Sequence, residues 1–413
     1  MPPIFPFKAV RATRDKVGLV ATRAYQSYEP EQRQARMKSN PFSFLHVINP
    51  GYKFQKIISG TQRYQLVRNR YMEFKEEGVF IQDKKPALYF YKIINRDRMT
   101  FFGLIGTTNI EDYNQNKIKK HEDTLCQREE VFKDYLKTVG FNAEPVLVTY
   151  PDNAIIRDII HQISQERPEY EFTTTYRDTH YLWKVEDKKI IKTIQREFVK
   201  FPNLYIADGH HRSASLSLLQ KEMKETNARH TGKENYNYLM CYFLPESQLK
   251  IHEFNRLVKD LNGLSKEEFL IALDTYFTIE YGGPIYTKPQ RKYHFAMYLD
   301  GAFYELKLRK KNYSFKSSLD RLDAQILYKT VFEKILGITD LRNDNRLEYV
   351  HGKKDMSYLR SQVDQGHFAA AFSLKPATIS DLKSIADEGL TMPPKSTYIE
   401  PKLRSAITIY ELD

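Results

Sequence analysis

Two apolar runs, "PALYFYKII" and "MTFFGLIGTTNI", stand on either side of the charged turn "NRDR". Four polar residues leave no room for a crossover helix, so the two runs must return on each other as an antiparallel hairpin. A chain with such a pair in its first third is not a helical bundle, nor a purely parallel doubly wound sheet. The segments around it alternate in type. "EPVLVTY", "THYLWKVED" and "YNYLMCYFL" read as strands, whereas "AIIRDIIHQISQER" and "KKIIKTIQREF" repeat their apolar positions with helical spacing. A helix is expected from Gln62 to Glu77, ended by Gly78, and another through "HEDTLCQREEVFKDYLKTVG", stopping at Gly140. Further on, Ser265 followed by Glu268 forms a capping-box pattern. The strands "YHFAMYLD" and "AFYELKLR" flank a turn at Gly301, "DAQILYKTVFEKILG" reads as one helix, "HFAAAFSL" as a strand and "TISDLKSIADEG" as a helix with Ser380 near its start. The first 60 residues, with Pro2, Pro3, Pro6, Pro30, Pro41 and Pro50, read as short strands and basic loops, and the tail ends in one more strand. Mixed strands and helices with several antiparallel pairs predict an α+β fold.

At 413 residues and 41% hydrophobic composition, the chain can bury more than one core. Lys and Arg number 64 against 52 Asp and Glu, a surplus of 64 − 52 = 12 that favours anionic partners such as nucleotides and phosphorylated metabolites. The surplus is spread out; its densest run, "LKLRKKNYSFK", is short. That dispersal, with no recognisable helix-turn-helix, argues against nucleic acid. Cys126 and Cys241 are far apart and no Cys-x-x-Cys pair exists, so neither a zinc ribbon nor a disulfide framework is expected. No signal-peptide pattern and no apolar window of about 18 residues occurs, so the expected location is the cytoplasm.

The most informative stretch is "NLYIADGHHRSASLSLL", residues 203–219. It starts as a strand and ends as a helix, with Asp208, Gly209, His210, His211, Arg212 and Ser213 at the turn. A helix N-terminus carries partial positive charge and attracts anions. Gly209 lets a ligand approach the backbone, Arg212 can fork onto phosphate, the histidines add donors, Ser213 adds a hydroxyl, and Asp208 could hold a histidine tautomer or Mg²⁺. The plainer reading, a helix cap with solvent-facing histidines, leaves the clustering of so many polar side chains unexplained.

Two further clusters stand out. In "KIKKHEDTLCQREE", Glu122 lies beside Lys117, Lys119, Lys120 and Thr124, a setting that suits a general base, or equally the acidic first turn of a helix. In "MPPKSTYIEPK", Lys395, Ser396 and Thr397 offer a cation and two hydroxyls behind Pro393 and Pro394, or simply a polar turn. No phosphate loop, no Gly-x-Gly-x-x-Gly fingerprint, no Gly-x-Ser-x-Gly elbow and no protein-kinase catalytic loop is present.

Taken in order, "KKHEDT", "YIADGHHRSASL", "YNYLMCYFL" and "MPPKSTYIEPK" resemble the prokaryotic family catalogued as domain of unknown function number one thousand and fifteen, over nearly the whole chain from "IFPFKAVRAT" to "EPKLRSAI". Many members carry Pro-Tyr-Asp near the N-terminus where this chain has Arg23, Ala24, Tyr25 and Gln26, which puts any role of that aspartate in doubt here. The Asp-Gly-His-His-Arg turn also resembles the ParB and sulfiredoxin superfamily and its archaeal free-serine kinases, in which a strand-turn-helix cradles nucleotide phosphates. Sulfiredoxins place their reactive cysteine where His210 falls, so sulfinic-acid repair is not implied.

The resemblance implies a ParB/sulfiredoxin-like catalytic region over residues 1–262, a second α+β domain over 263–378, and a C-terminal segment, 379–413, packing back on the core. It implies a phosphotransferase that takes ADP or ATP with Mg²⁺ and a small hydroxyl metabolite, free serine or phosphoserine first. Gly209, His211, Arg212, Ser213, Lys120 and Thr124 would hold phosphates. Glu122 would be the base, Asp208, His210 and His211 would act at the reacting centre, Asp208 would take the metal, and Lys395, Ser396 and Thr397 would meet the substrate. Two alternatives stay open: a phosphatase using His210 or His211 without nucleotide, and a ParB-like nucleotide switch or DNA-binding regulator.

Overall fold

The computed structural model describes residues 3–354 and 356–412; Pro2 and the last residue of the terminal segment lie outside them. The chain divides into two compact units. One holds the residues up to Lys120, Thr124–Leu249 and the stretch from Pro401 onward; the other holds His121–Asp123 and Lys250–Glu400.

The first unit is built on an eight-stranded sheet. In chain order its strands are β1 (Leu88–Ile94), β2 (Thr100–Asn109), β3 (Ile118–Lys119), β4 (Val146–Tyr150), β5 (Tyr170–Thr173), β6 (Thr179–Val185), β7 (Leu204–Asp208) and β8 (Tyr238–Pro245). Their order across the sheet is β3-β7-β4-β8-β2-β1-β6-β5. The expected hairpin is β1–β2, with Ile94 opposite Thr100. Only β3 with β7 and β4 with β8 run parallel, so the sheet is mixed. Five of the helices of this unit are α1 (Gly60–Glu76), α2 (Cys126–Val139), α3 (Ala154–Ile163), α4 (Lys188–Phe198) and α5 (His210–Thr226). Helix α5 packs along α2 and buries Ser213, Ser215 and Ser217 together with Ala214, Leu216 and Leu219; serines and alanine allow that close approach.

The core of this unit uses tyrosine heavily. Tyr89, Tyr91, Tyr170 and Tyr242 are fully buried, and each hydroxyl has a partner: Tyr89 donates to Asp83 at 2.7 Å, Tyr91 meets His180 Nδ1 at 2.8 Å, Tyr242 donates to the Tyr91 carbonyl at 3.0 Å, and Tyr170 donates to the Ala12 carbonyl. A buried ring with a bonded hydroxyl keeps its apolar area without leaving a polar atom stranded. Beside them Arg11 forks onto Asp83 at 2.9 and 3.0 Å, both side chains being 4% exposed.

In the second unit, the pair β9 (Lys250–His252) and β16 (Tyr398–Glu400) lies apart from a fully antiparallel six-stranded sheet. That sheet comprises β10 (Phe254–Val258), β11 (Phe277–Gly283), β12 (His294–Leu299), β13 (Ala302–Leu308), β14 (Leu347–His351) and β15 (Ala370–Leu374), ordered β11-β13-β12-β15-β10-β14. Its core includes Leu257, Tyr298, Phe303, Val350, Leu359 and Ala371. The capping box at Ser265 and Glu268 is formed, opening helix α6 (Lys266–Asp274). The fold is α+β in both units. Among the described residues no helix is long and apolar enough to cross a membrane.

Four local expectations are corrected. The N-terminal 60 residues contain helices as well as a strand. One helix spans Pro30–Ser39, where Pro30 pre-sets the first turn and Arg36 and Lys38 complement the dipole at the last. Helix α2 begins only at Cys126, because Leu125 is extended. "DAQILYKTVFEKILG" is not one α-helix: it runs as Asp323–Leu327 and then as a π-turn, Tyr328–Phe332, in which the Glu333 N–H reaches back five residues to the Tyr328 carbonyl. The helix Ile379–Asp387 is capped by Thr378 with Asp381, not by Ser380.

Candidate functional site

Strand β7 delivers Asp208 to the sheet edge region. Its pairing with β4 is regular to Ile206 and then slips, so that Asp208 stands opposite Leu147; a bulge of this kind re-aims a side chain. The chain then turns through Gly209, whose φ of 104° suits glycine and few other residues. Helix α5 follows at once, its ladder opening with the Ser213 N–H donating to the Gly209 carbonyl at 3.1 Å. The positive end of a 17-residue helix dipole therefore sits at Gly209.

Arg212 folds back beneath this turn. A Cβ at Gly209 would lie 3.0 Å from its guanidinium. Nη1 donates to the carbonyls of Glu144, at 3.2 Å, and Pro145, and Nη2 donates to Asp208 Oδ2 at 3.3 Å. Three of the five N–H groups of the side chain are thus occupied by the protein itself. Among the described residues Arg212 braces the turn and keeps its Nε–H and one Nη2–H without a protein acceptor. Lys402, from the C-terminal stretch, brings its ammonium to 3.6 Å from Asp208 Oδ1. His210 is buried, His211 is partly exposed, and the Ser213 hydroxyl is buried and points back at the Gly209 carbonyl, 3.4 Å away.

Lys120 follows β3, which runs parallel to β7 with Lys119 opposite Tyr205; its ammonium lies 5.8 Å from the centre of the Tyr113 ring. Thr124, also in this unit, donates to the Glu129 carboxylate just inside α2.

Glu122, Lys395, Ser396 and Thr397 belong to the second unit. There, residues from two distant motifs meet. The Met392 N–H donates to the His121 carbonyl at 2.8 Å, and the Thr391 hydroxyl donates to Asp123 at 2.9 Å. Arg342 donates to the Asp123 carbonyl at 3.3 Å, and a cleft of about 390 Å³ opens among Asp123, Tyr328, Arg342, Thr391 and Pro393. Glu122 and Lys395 are exposed, and Lys395 holds a left-handed φ of 55°. Ser396 is buried and donates to the Pro393 carbonyl at 2.6 Å, so its hydroxyl closes the turn.

Sequence reading missed two kinds of participant. Lys402 stood inside a quoted motif but carried no assignment. The carbonyls of Glu144 and Pro145 have no signature at all, because any residue supplies a carbonyl.

The strand, glycine and helix around Asp208 form a strand-turn-helix of an α+β protein, with Arg212 and Lys402 both brought to one carboxylate. The chain belongs to the family described as Protein of unknown function (DUF1015), whose model matches residues 4–325. The "MPPKSTYIEPK" motif lies beyond that span. No curated protein matches the chain. Among solved structures it is similar to a free serine kinase in complex with AMP, at 13% identity and a TM-score of 0.37 over 74% of this chain and 90% of that one. It is also similar to SbnI with C-terminal truncation from Staphylococcus aureus, at 13% and 0.38 over 73% and 87%. A conserved hypothetical protein from Pyrococcus furiosus is similar at 12% and 0.36, over 73% and 93%. Likenesses of this size carry no weight for chemistry.

Proposed function

We propose that this protein is a nucleotide-dependent phosphotransferase acting on a small hydroxyl metabolite, with ADP or ATP as donor. The observation that carries the reading is the Gly209 turn: one glycine, a braced arginine, a lysine and a helix dipole collected around a single carboxylate. Phosphoryl transfer asks mainly for positioning and for positive charge where the phosphoryl oxygens sit, and this turn supplies both. In the proposed reaction the acceptor hydroxyl oxygen attacks the terminal phosphorus of the nucleotide. The new O–P bond forms as the bond to the leaving nucleotide breaks, the hydroxyl proton passes to a base, and the nucleotide departs one phosphate shorter.

Within the turn, Arg212 holds the loop and offers its two remaining N–H groups, Lys402 and the amide end of α5 attract the phosphates, and His211 donates from the rim. Asp208 is a single carboxylate that already faces Arg212 and Lys402, so Mg²⁺ would have to be carried in by the nucleotide, taking most of its ligands from phosphates and water; the ion would neutralise phosphate charge. Glu122 is assigned the proton, and free serine is the first acceptor to test, on the resemblance of the Asp-Gly-His-His-Arg turn to free-serine kinases. Glu122 belongs to the other compact unit, so its role is what a variant must decide.

The test is a transfer assay on the full chain with serine, Mg²⁺ and either ADP or ATP, followed by ³¹P NMR. The expected product is phosphoserine with a shortened nucleotide, and Glu122→Gln should slow it about 10²–10⁴-fold. Failure of both nucleotides to raise the melting temperature, with no transfer, overturns the proposal. Phosphate release from phosphoserine without nucleotide would point to a phosphatase instead.

A further inference from the structure

A second cationic cluster lies in the first unit; it draws on Arg23 and Arg404, residues of the stretches "RAYQ" and "EPKLRSAI" to which no role has yet been given. Tyr176 stands at the tip of the β5–β6 turn, which is closed by the Thr174 N–H on the Asp178 carbonyl at 2.8 Å and the Arg177 N–H on the Thr174 carbonyl at 2.9 Å. Three guanidinium groups from three other stretches of chain surround its ring. Their central carbons lie 4.7 Å (Arg23), 5.0 Å (Arg36) and 5.6 Å (Arg404) from the ring centre. Arg33 stacks next door on Tyr25, at 4.1 Å.

The charges do not balance. Arg404 is 4% exposed and donates to Asp178 at 2.8 Å and to the Thr174 hydroxyl at 3.2 Å. Arg36 donates to the Thr175 hydroxyl. Among the described residues no carboxylate lies within ion-pair distance of Arg23, Arg33 or Arg36, although both units are otherwise laced with such pairs. Around Tyr176, three cations meet one carboxylate, leaving a surplus of two. Partial burial works to raise the Tyr176 phenol, but hydrogen bonds and charge from Arg23 and Arg36 outweigh it and hold the phenol below the ordinary tyrosine range. A tyrosine platform that merely tethered a loop would need one arginine. Three, crowded together against their mutual repulsion, are explained by a partner that brings negative charge.

We infer that Arg23, Arg36 and Arg404, arranged about Tyr176, form a binding site for a phosphate monoester or diphosphate group. A phosphate monoester carries about two negative charges near neutral pH, which matches the surplus, a diphosphate carries more, and the oxygens of either suit the guanidinium fork. The Tyr176 hydroxyl can donate a further bond. This site is linked to the Gly209 turn. Glu144, whose carbonyl braces Arg212, accepts the Ser405 hydroxyl on its carboxylate at 2.5 Å, beside Arg404, and Ser405 pairs with Thr22, beside Arg23. The inference does not depend on phosphoryl transfer, since it concerns binding alone.

The test is calorimetric titration of the full chain with inorganic phosphate, pyrophosphate, phosphoserine and ADP at constant ionic strength. The proteins compared are wild type, Arg23→Gln/Arg36→Gln, Tyr176→Phe and Lys402→Gln. Pyrophosphate binding by the double variant should weaken at least tenfold and by Tyr176→Phe a few-fold, whereas Lys402→Gln should act first on ADP, the ligand proposed for the Gly209 turn. Pyrophosphate or phosphoserine binding well in the absence of a nucleoside identifies a small phosphometabolite; ADP alone binding identifies a nucleotide. Unchanged affinity in the double variant overturns the inference. So does loss of all binding in Lys402→Gln with retention in the double variant, and so does a wild type that binds none of the four while the double variant melts lower, since the arginines would then be a tether only.

Discussion

Arg212 and the Arg23–Arg36 pair bring the same chemical group into the same compact unit, and the chain treats them in opposite ways. Arg212 spends its donors on two carbonyls and on Asp208, so its position is set before any ligand arrives. Arg23 and Arg36 lean on an aromatic ring and keep their charge unbalanced. Arg11, deep in the core and locked onto Asp83, marks the fully neutralised extreme. Exposure alone does not sort these cases; what each guanidinium is bonded to does. A preorganised arginine adds precision to a site, whereas an uncompensated one adds attraction.

The comparison can be broken in order of effect. Asp83→Ala should be the most damaging change, because it removes the buried carboxylate that takes the fork of Arg11 and leaves the guanidinium only Glu169 and Tyr170; a loss of about 3–5 kcal/mol in urea unfolding is expected. A loss below about 1 kcal/mol would place Arg11 with the tolerant arginines. Gly209→Ala should cost about 1–3 kcal/mol, since the left-handed backbone and the guanidinium 3.0 Å away both resist a Cβ, and should weaken nucleotide binding more than it lowers stability. Equal binding in that variant would separate the turn from the nucleotide.

Acid should act through His180. Burial first, and the charge of Arg404 second, lower its pKa to about 3, below the 6.5 of an unfolded histidine. The folded state therefore holds it neutral. That contribution is complete above pH 6.5 and is lost as pH falls toward 3, amounting to about 2 kcal/mol by pH 5. His180→Gln should flatten this part of the profile; an unaltered slope would assign the acid sensitivity elsewhere. The smallest effect belongs to Arg36→Gln without ligand, within about 0.5 kcal/mol of wild type. A larger loss would make Arg36 structural.

Much of this architecture was legible locally. The β1–β2 hairpin, the Gly140 stop, the Gly301 turn and the Ser265–Glu268 cap are each written in a handful of adjacent residues, and each formed. The strand, Gly209 and helix were legible for the same reason. What escaped was either decided by distant partners or carried by the backbone. His121–Asp123 leaves the helical pattern because its neighbours Thr391 and Met392 claim it. Arg212 finds carbonyls, which no residue type announces. The Tyr176 cluster draws on positions 23, 36, 176 and 404, whose proximity no spacing rule contains.

The pairing of Val10 with Ile409, through bonds of 2.9 and 2.7 Å, and of Asn142 with Tyr410, sets a timetable. A ribosome adds roughly 5–20 residues per second, so Val10 emerges on the order of tens of seconds before its partner exists. The closing stretch also carries Lys402 and Arg404. Until it docks, Asp208 lacks its Lys402 neighbour and Asp178 lacks its Arg404 partner.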